Sequence, residues 1–148
     1  MGKILEQILP LLLAFTVSYF LWKYNIVNYK NSIELIKQFP IIGTCAFGFL
    51  LTMFSLIIQG NNAAIDRMRK RVKPFSVFVN FNKRVVIISF IATLYSYFIG
   101  YFKFDISCNN IEFLVFMFYG LVIWFIIEVF YFLIIFYILV QSEIKNTK

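Results

Sequence analysis

Histidine is missing from this chain of 148 residues, and charged residues make up only 14% of it. Without histidine the chain lacks the commonest metal ligand in proteins and the usual general base near neutral pH. We therefore expect no catalytic residues, no metal site and no cofactor, and we expect that the protein is not an enzyme. So few charges also leave too little polar surface to cover a soluble domain of this length.

What the chain does contain is apolar: 61% hydrophobic residues, 21% aromatic residues and a mean hydropathy of +0.83. This composition predicts an all-α, multi-pass protein with a single transmembrane domain over residues 1–148. The net charge of +7 comes from lysines and arginines that cluster at the ends of hydrophobic runs. We therefore expect phospholipid headgroups as the partner and no direct contact with nucleic acid.

Four hydrophobic runs predict four transmembrane helices, at about residues 8–22, 39–58, 85–102 and 113–140. The first run is short enough to resemble a cleaved signal peptide, but the aromatic residues before Lys23 are typical of a membrane boundary and favour a retained span. Residues 23–38 are polar with an amphipathic tail. For them we predict a short ordered loop, with a helix on the membrane surface as the alternative.

A basic hairpin over residues 60–84 joins the second and third spans. Asn62 can cap a short amphipathic helix that Pro74 ends, and the apolar positions of residues 75–82 suggest an interfacial segment. The hairpin carries half of the positive charges, namely Arg67, Arg69, Lys70, Arg71, Lys73, Lys83 and Arg84. It is interpreted as an anchor against anionic lipid or as the docking site of a cytosolic effector protein.

The distribution of lysine and arginine also predicts the orientation of the chain. With both termini in the cytoplasm, ten of these residues lie inside and four outside, which is the bias found in membrane proteins.

Small and polar residues form stripes at helical spacing on two of the spans. Span two has Thr44, Gly48, Thr52, Ser55 and Gln59, and span three has Ser89, Thr93, Ser96 and Gly100. Such faces are either buried in helix packing or line a water-filled path. We expect the two faces to pack against each other, within one subunit or around the axis of a homo-oligomer.

Glu128 is the only charged residue in the 28-residue fourth span. At 1.5 Å per residue this span is about 42 Å long, so it must tilt, bend or project from the membrane. A carboxylate within the bilayer should be neutral, paired or in contact with water. Gly120, Trp124 and Tyr131 share its face, so we expect this face to point into protein, with Glu128 acting as a structural acid or as a functional group.

The two cysteines, Cys45 and Cys108, are predicted in the same half of the membrane. A disulfide between them is geometrically conceivable, but Cys45 lies about 9 Å below the edge of its span, so free, buried thiols are favoured.

The stretch GTCAFGFLLTMFSLIIQ, followed by the charged NNAAIDRMRKR and a third span, resembles small four-span membrane proteins of bacterial and prophage defence systems, the RexB-like and KwaA-like proteins. The resemblance covers residues 43–100 and transfers no site residues. It implies a membrane sensor or pore that acts against phage, often as an oligomer with a cytosolic partner. The expected function is therefore a pore or membrane-perturbing effector; the alternative is a membrane anchor or sensor subunit that recruits a cytosolic effector through the basic hairpin.

Overall fold

The structure, a computed structural model, describes residues 2–59, 72–101 and 108–145. These residues form four helices and the connection between the first two. The helices are α1 (Gly2–Lys23), α2 (Tyr29–Gln59), α3 (Val72–Tyr101) and α4 (Cys108–Lys145). The all-helical fold class is confirmed for this part of the chain.

Three helices contain stretches long and apolar enough to cross a membrane. These stretches are Tyr29–Ser55, Phe75–Tyr101 and Ile111–Ile138. The apolar part of α1, Ile8–Lys23, is shorter. At most a third of the most apolar window of each long stretch is buried, so the remaining apolar surface requires lipid or protein around it. The chain is thus a helical membrane protein.

The connection between α1 and α2 is much shorter than predicted. We expected a loop over residues 23–38, but α2 begins at Tyr29. Two asparagines define the turn. Asn25 has a φ of 52° and ends α1 in a Schellman motif, in which Ile26 N–H donates to the Leu21 carbonyl oxygen at 3.1 Å. The Asn28 carboxamide then caps α2 by accepting from Asn31 N–H at 2.9 Å.

The second half of the predicted basic hairpin belongs to α3. Residues 75–82, expected to form an interfacial segment, are helical and continue into span three, and Pro74 lies in the first turn of α3 rather than ending a helix. Proline is compatible with this turn, whose N–H groups have no helical acceptor. The predicted helix after Asn62 lies outside the described residues.

The helices pack in the order α1, α4, α3, α2, with each neighbouring pair antiparallel. Helix α2 also contacts α4, so α2, α3 and α4 surround a common core and α1 covers the outer side of α4. Phe39 of α2 meets Phe118 and Phe125 of α4 edge to face, and Phe78 of α3 lies against Phe132. We call the end of the bundle where α2 ends and α3 begins the α2–α3 end.

The contact between α2 and α3 compensates for a proline within α2. Pro40 has no N–H to donate to the carbonyl oxygen of Ile36, four residues earlier. The hydroxyl of the buried Ser96 on α3 donates to this oxygen at 2.6 Å. A backbone acceptor that would be costly to leave unpaired in a membrane is therefore satisfied by the neighbouring helix.

Candidate functional site

An ion pair lies inside the bundle between α3 and α4. Arg84 Nη2 donates to Glu128 Oε1, and the Glu128 side chain has no exposed surface, whereas 23% of the Arg84 side chain is exposed. Arg84 lies nine residues after the start of the apolar stretch of α3, and Glu128 lies ten residues before the end of that of α4. Both charges therefore lie about 13–15 Å along their spans from the α2–α3 end.

Aromatic side chains enclose the pair. Trp124, one turn before Glu128, donates its indole N–H to the same Oε1 atom at 3.2 Å. The Arg84 guanidinium carbon lies 5.5 Å from the centre of the Phe81 ring, within the range of a cation–π contact. These contacts favour one orientation of the charged groups. The second carboxylate oxygen, Oε2, is buried and has no hydrogen-bond partner among the described residues.

The pairing of Arg84 with Glu128 lowers the energetic cost of placing each charge at this depth. An isolated charged side chain inside a bilayer is expensive, whereas an ion pair is neutral overall and each charge is partly compensated by the other. This confirms that Glu128 faces protein rather than lipid. The shared face of α4 is only partly buried, however, because Gly120 is buried while 45% of Tyr131 is exposed. Tyr131 is exposed although the next residue, Phe132, is fully buried against Phe78 of α3.

A cavity of about 580 Å³ lies beside the ion pair, between α1, α3 and α4. Arg84 and Glu128 provide its charged groups, and the other lining residues are apolar or aromatic. These are Leu9, Pro10, Val77, Phe81, Tyr131, Ile134 and Ile135. The cavity therefore has a mostly apolar wall and one buried carboxylate, and one oxygen of this carboxylate has no hydrogen-bond partner among the described residues.

The polar stripe of span two does not pack inside the subunit. Thr44, Gly48, Thr52 and Gln59 are exposed and Ser55 is half-buried. The prediction that this face packs against span three within one subunit is therefore wrong. Thr44 and Thr52 donate their hydroxyls to carbonyl oxygens one turn back in their own helix, so they need no partner on another helix.

The stripe of span three is buried as expected, but against a different face of α2. Ser89 and Ser96 are buried and Thr93 is half-buried. Ser89 donates to the Gly43 carbonyl oxygen at 3.3 Å, and a Cβ added at Gly43 would overlap the Thr93 hydroxyl. Gly100, also half-buried, would place a Cβ 3.5 Å from Ile36 Cγ2. The close approach of α2 and α3 thus depends on Gly43.

Of the basic residues proposed to bind lipid or a partner, Arg84 has a different role. It pairs with Glu128 inside the bundle, whereas the neighbouring Lys83 is exposed. Sequence reasoning placed both residues in the hairpin because the apolar run of span three begins at Val85, yet neighbours on a helix point about 100° apart. Arg67, Arg69, Lys70 and Arg71 lie outside the described residues, as does the side chain of Lys73.

Two further polar residues differ from prediction. Cys45 is a free thiol and is exposed on the outward side of α2, not buried. Asn82, which was assigned to an interfacial segment, is buried, and its amide donates to the Leu50 carbonyl oxygen at 3.5 Å. Asn82, Ser89 and Ser96 follow one another at intervals of seven residues, which puts them on one side of a helix. This spacing was the feature of the sequence that could have placed Asn82 on the side of α3 that faces α2.

The described ranges contain no group of three or more cysteine, aspartate or glutamate side chains that could hold a metal ion. No protein-family model matches the chain, and no curated protein or solved structure matches it either. The resemblance to phage-defence membrane proteins thus stays a prediction from sequence.

Proposed function

We propose that the chain is a non-enzymatic, multi-pass protein of the bacterial inner membrane that assembles into a homo-oligomeric pore and acts as an effector of phage defence. In this proposal all four helices cross the bilayer, both termini are cytoplasmic, and the α2–α3 end faces the cytoplasm. The sequence resemblance of residues 43–100 supports the defence role, and the bias of lysine and arginine supports the orientation.

The main observation in support of a pore is the outward position of the polar face of α2. Thr44, Gly48, Thr52 and Gln59 are exposed, although they belong to a helix that is apolar enough to span the membrane. From Thr44 to Gln59 the face extends about 22 Å, most of the thickness of a hydrocarbon core. Further copies of the chain are the partners that we expect: their α2 helices would surround a common axis to which these faces point, and the small residues would allow neighbouring helices to approach closely.

The composition of this face favours a water-lined path at the centre of the oligomer. It has hydroxyl and amide groups but no charge, so it can contact water without the cost of burying an ion. Ser89, Ser96 and Glu128 are buried within the subunit. They are therefore excluded from the wall of a pore formed between subunits, and the proposal rests on α2 alone.

The test is ion flux into liposomes that contain the purified protein. The double variant Thr44→Val/Thr52→Val removes two hydroxyls at nearly constant volume, and we expect it to reduce flux severalfold while the helices stay intact. Thr16→Val on α1 is the matched control because Thr16 is also exposed and donates its hydroxyl to its own helix. This control should conduct as the wild type does.

Assembly is tested separately by native mass spectrometry of Gly48→Leu. Gly48 is exposed, and a Cβ added there meets no atom of the described residues within 4 Å, so we expect the leucine to point away from the core of the subunit. We expect the wild type to be oligomeric and the variant to dissociate. A monomeric wild type, or equal flux in the Thr44/Thr52 double variant and Thr16→Val, would refute the proposal.

A further inference from the structure

We propose that the cavity between α1, α3 and α4 binds a neutral, membrane-soluble alcohol, whose hydroxyl group donates a hydrogen bond to Glu128 Oε2. This binding site goes beyond the proposed pore and does not depend on it, because all of its residues belong to one subunit.

The buried carboxylate oxygen calls for a hydrogen-bond donor. Glu128 Oε1 accepts from both Arg84 and Trp124, whereas Oε2 has no partner within the described part of the chain. Buried polar atoms in proteins are nearly always paired, so an unpaired one requires an explanation, such as a molecule that binds to it. Glu128 lines the cavity but has no exposed surface, so a hydroxyl group in the cavity reaches Oε2 once the side chains beside it shift to admit the donor.

The charge of the site requires a neutral ligand. Arg84 and Glu128 already compensate each other, and a cation or an anion would add an unpaired charge to a poorly solvated site. An ionised carboxylate can only accept hydrogen bonds. A hydroxyl group meets both requirements, since it is uncharged and carries a donor.

The walls of the cavity favour a ligand whose body is apolar. Seven of its nine lining residues are apolar or aromatic, and the volume of about 580 Å³ is within the usual range for small-molecule sites. Leu9, Val77, Tyr131 and Ile134 are each exposed over roughly half of their surface, so the cavity opens on the outside of the bundle. This opening lies at the depth of the apolar stretches of α3 and α4, where a ligand would enter from the lipid.

The experiment compares decanol with decyl methyl ether, two probes of similar shape of which only the alcohol has a donor. Binding is followed by the fluorescence of Trp124, which contacts Glu128 directly. The protein carries Trp22→Phe, which removes the only other tryptophan, and is held in nanodiscs of zwitterionic phosphatidylcholine. We expect a saturable change with decanol and binding of the ether that is at least about tenfold weaker.

Two further variants separate binding in the cavity from general effects on the bilayer. Val77→Phe narrows the cavity and should abolish the saturable change. Val17→Phe, the same substitution at an exposed position of α1 outside the cavity, should bind as the parent does. Equal binding of both probes, no saturable change with decanol, or unaltered binding in Val77→Phe would each overturn the proposal. A non-conducting protein that still binds decanol in this way would refute only the pore.

Discussion

The hydrogen bond between Ser96 and the Ile36 carbonyl oxygen should be energetically coupled to Pro40. Because Pro40 cannot donate to this oxygen, Ser96→Ala leaves a buried backbone acceptor without a partner. An unsatisfied buried group costs about 1–3 kcal/mol, while hydrogen bonds between membrane helices average about 0.6 kcal/mol. We therefore expect Ser96→Ala to lower the free energy of unfolding by about 1–2 kcal/mol.

The coupling appears when the proline is replaced as well. Pro40→Ala restores an N–H that can donate to Ile36, so Ser96→Ala in that background should cost no more than about 0.6 kcal/mol. The difference, about 1 kcal/mol, is the interaction energy of a double-mutant cycle. It is measured by unfolding the purified protein in mixed micelles of increasing denaturing detergent, with helix content followed by circular dichroism.

Ser89→Ala is the matched control for this cycle. Ser89 is also a buried serine of α3 that donates to a carbonyl oxygen of α2, at Gly43, but the residue four positions after Gly43 is Phe47, which keeps its N–H. We expect a loss of about 0.6 kcal/mol and no coupling to Pro40→Ala. Equal losses for Ser89→Ala and Ser96→Ala, together with no coupling in either cycle, would refute the compensation between α2 and α3.

Two further predictions concern packing and charge. Gly120→Ala should destabilise the contact between α1 and α4 by about 1–3 kcal/mol, since the new Cβ would lie 2.7 Å from the Phe15 ring. Gly48→Ala is the control, because its Cβ meets no atom of the described residues within 4 Å, and equal unfolding curves for the two variants would contradict the prediction. Glu128→Leu should cost about 3–5 kcal/mol because it leaves Arg84 without its partner, and adding Arg84→Leu should recover most of the loss. The same unfolding assay measures both, and no recovery in the double variant would argue against the ion pair.

The sequence predicted the helical class and the protein-facing position of Glu128, because both depend on local properties. Long apolar runs must form helices in a membrane, and a lone carboxylate in such a run needs a polar neighbour. The start of α2 was also within reach of sequence reasoning. Asn25 and Asn28 are suited to end one helix and cap the next, but the polar composition around them favoured a loop.

The pairing of Arg84 with Glu128 could not be predicted, since the two residues are brought together only by the tertiary fold. Arg84 and Glu128 are 44 residues apart, and nothing in the spacing of α3 and α4 assigns one to the other. The polar face of α2 was misplaced for a different reason. A threonine hydroxyl in a helix can bond to its own backbone, so its presence does not show which side packs against protein.

The accessibility of α2 to water in the conducting oligomer tests the proposed function most directly. Single cysteines at Thr44, Thr52 and Phe49 are introduced after Cys45 and Cys108 are replaced by serine, and the protein in liposomes is treated with a water-soluble, membrane-impermeant thiol reagent. We expect the cysteines at Thr44 and Thr52 to react and ion flux to fall, while the cysteine at the exposed, apolar position Phe49 stays unmodified. Equal reactivity at all three positions, or modification at Thr44 and Thr52 without a change in flux, would contradict a pore lined by α2.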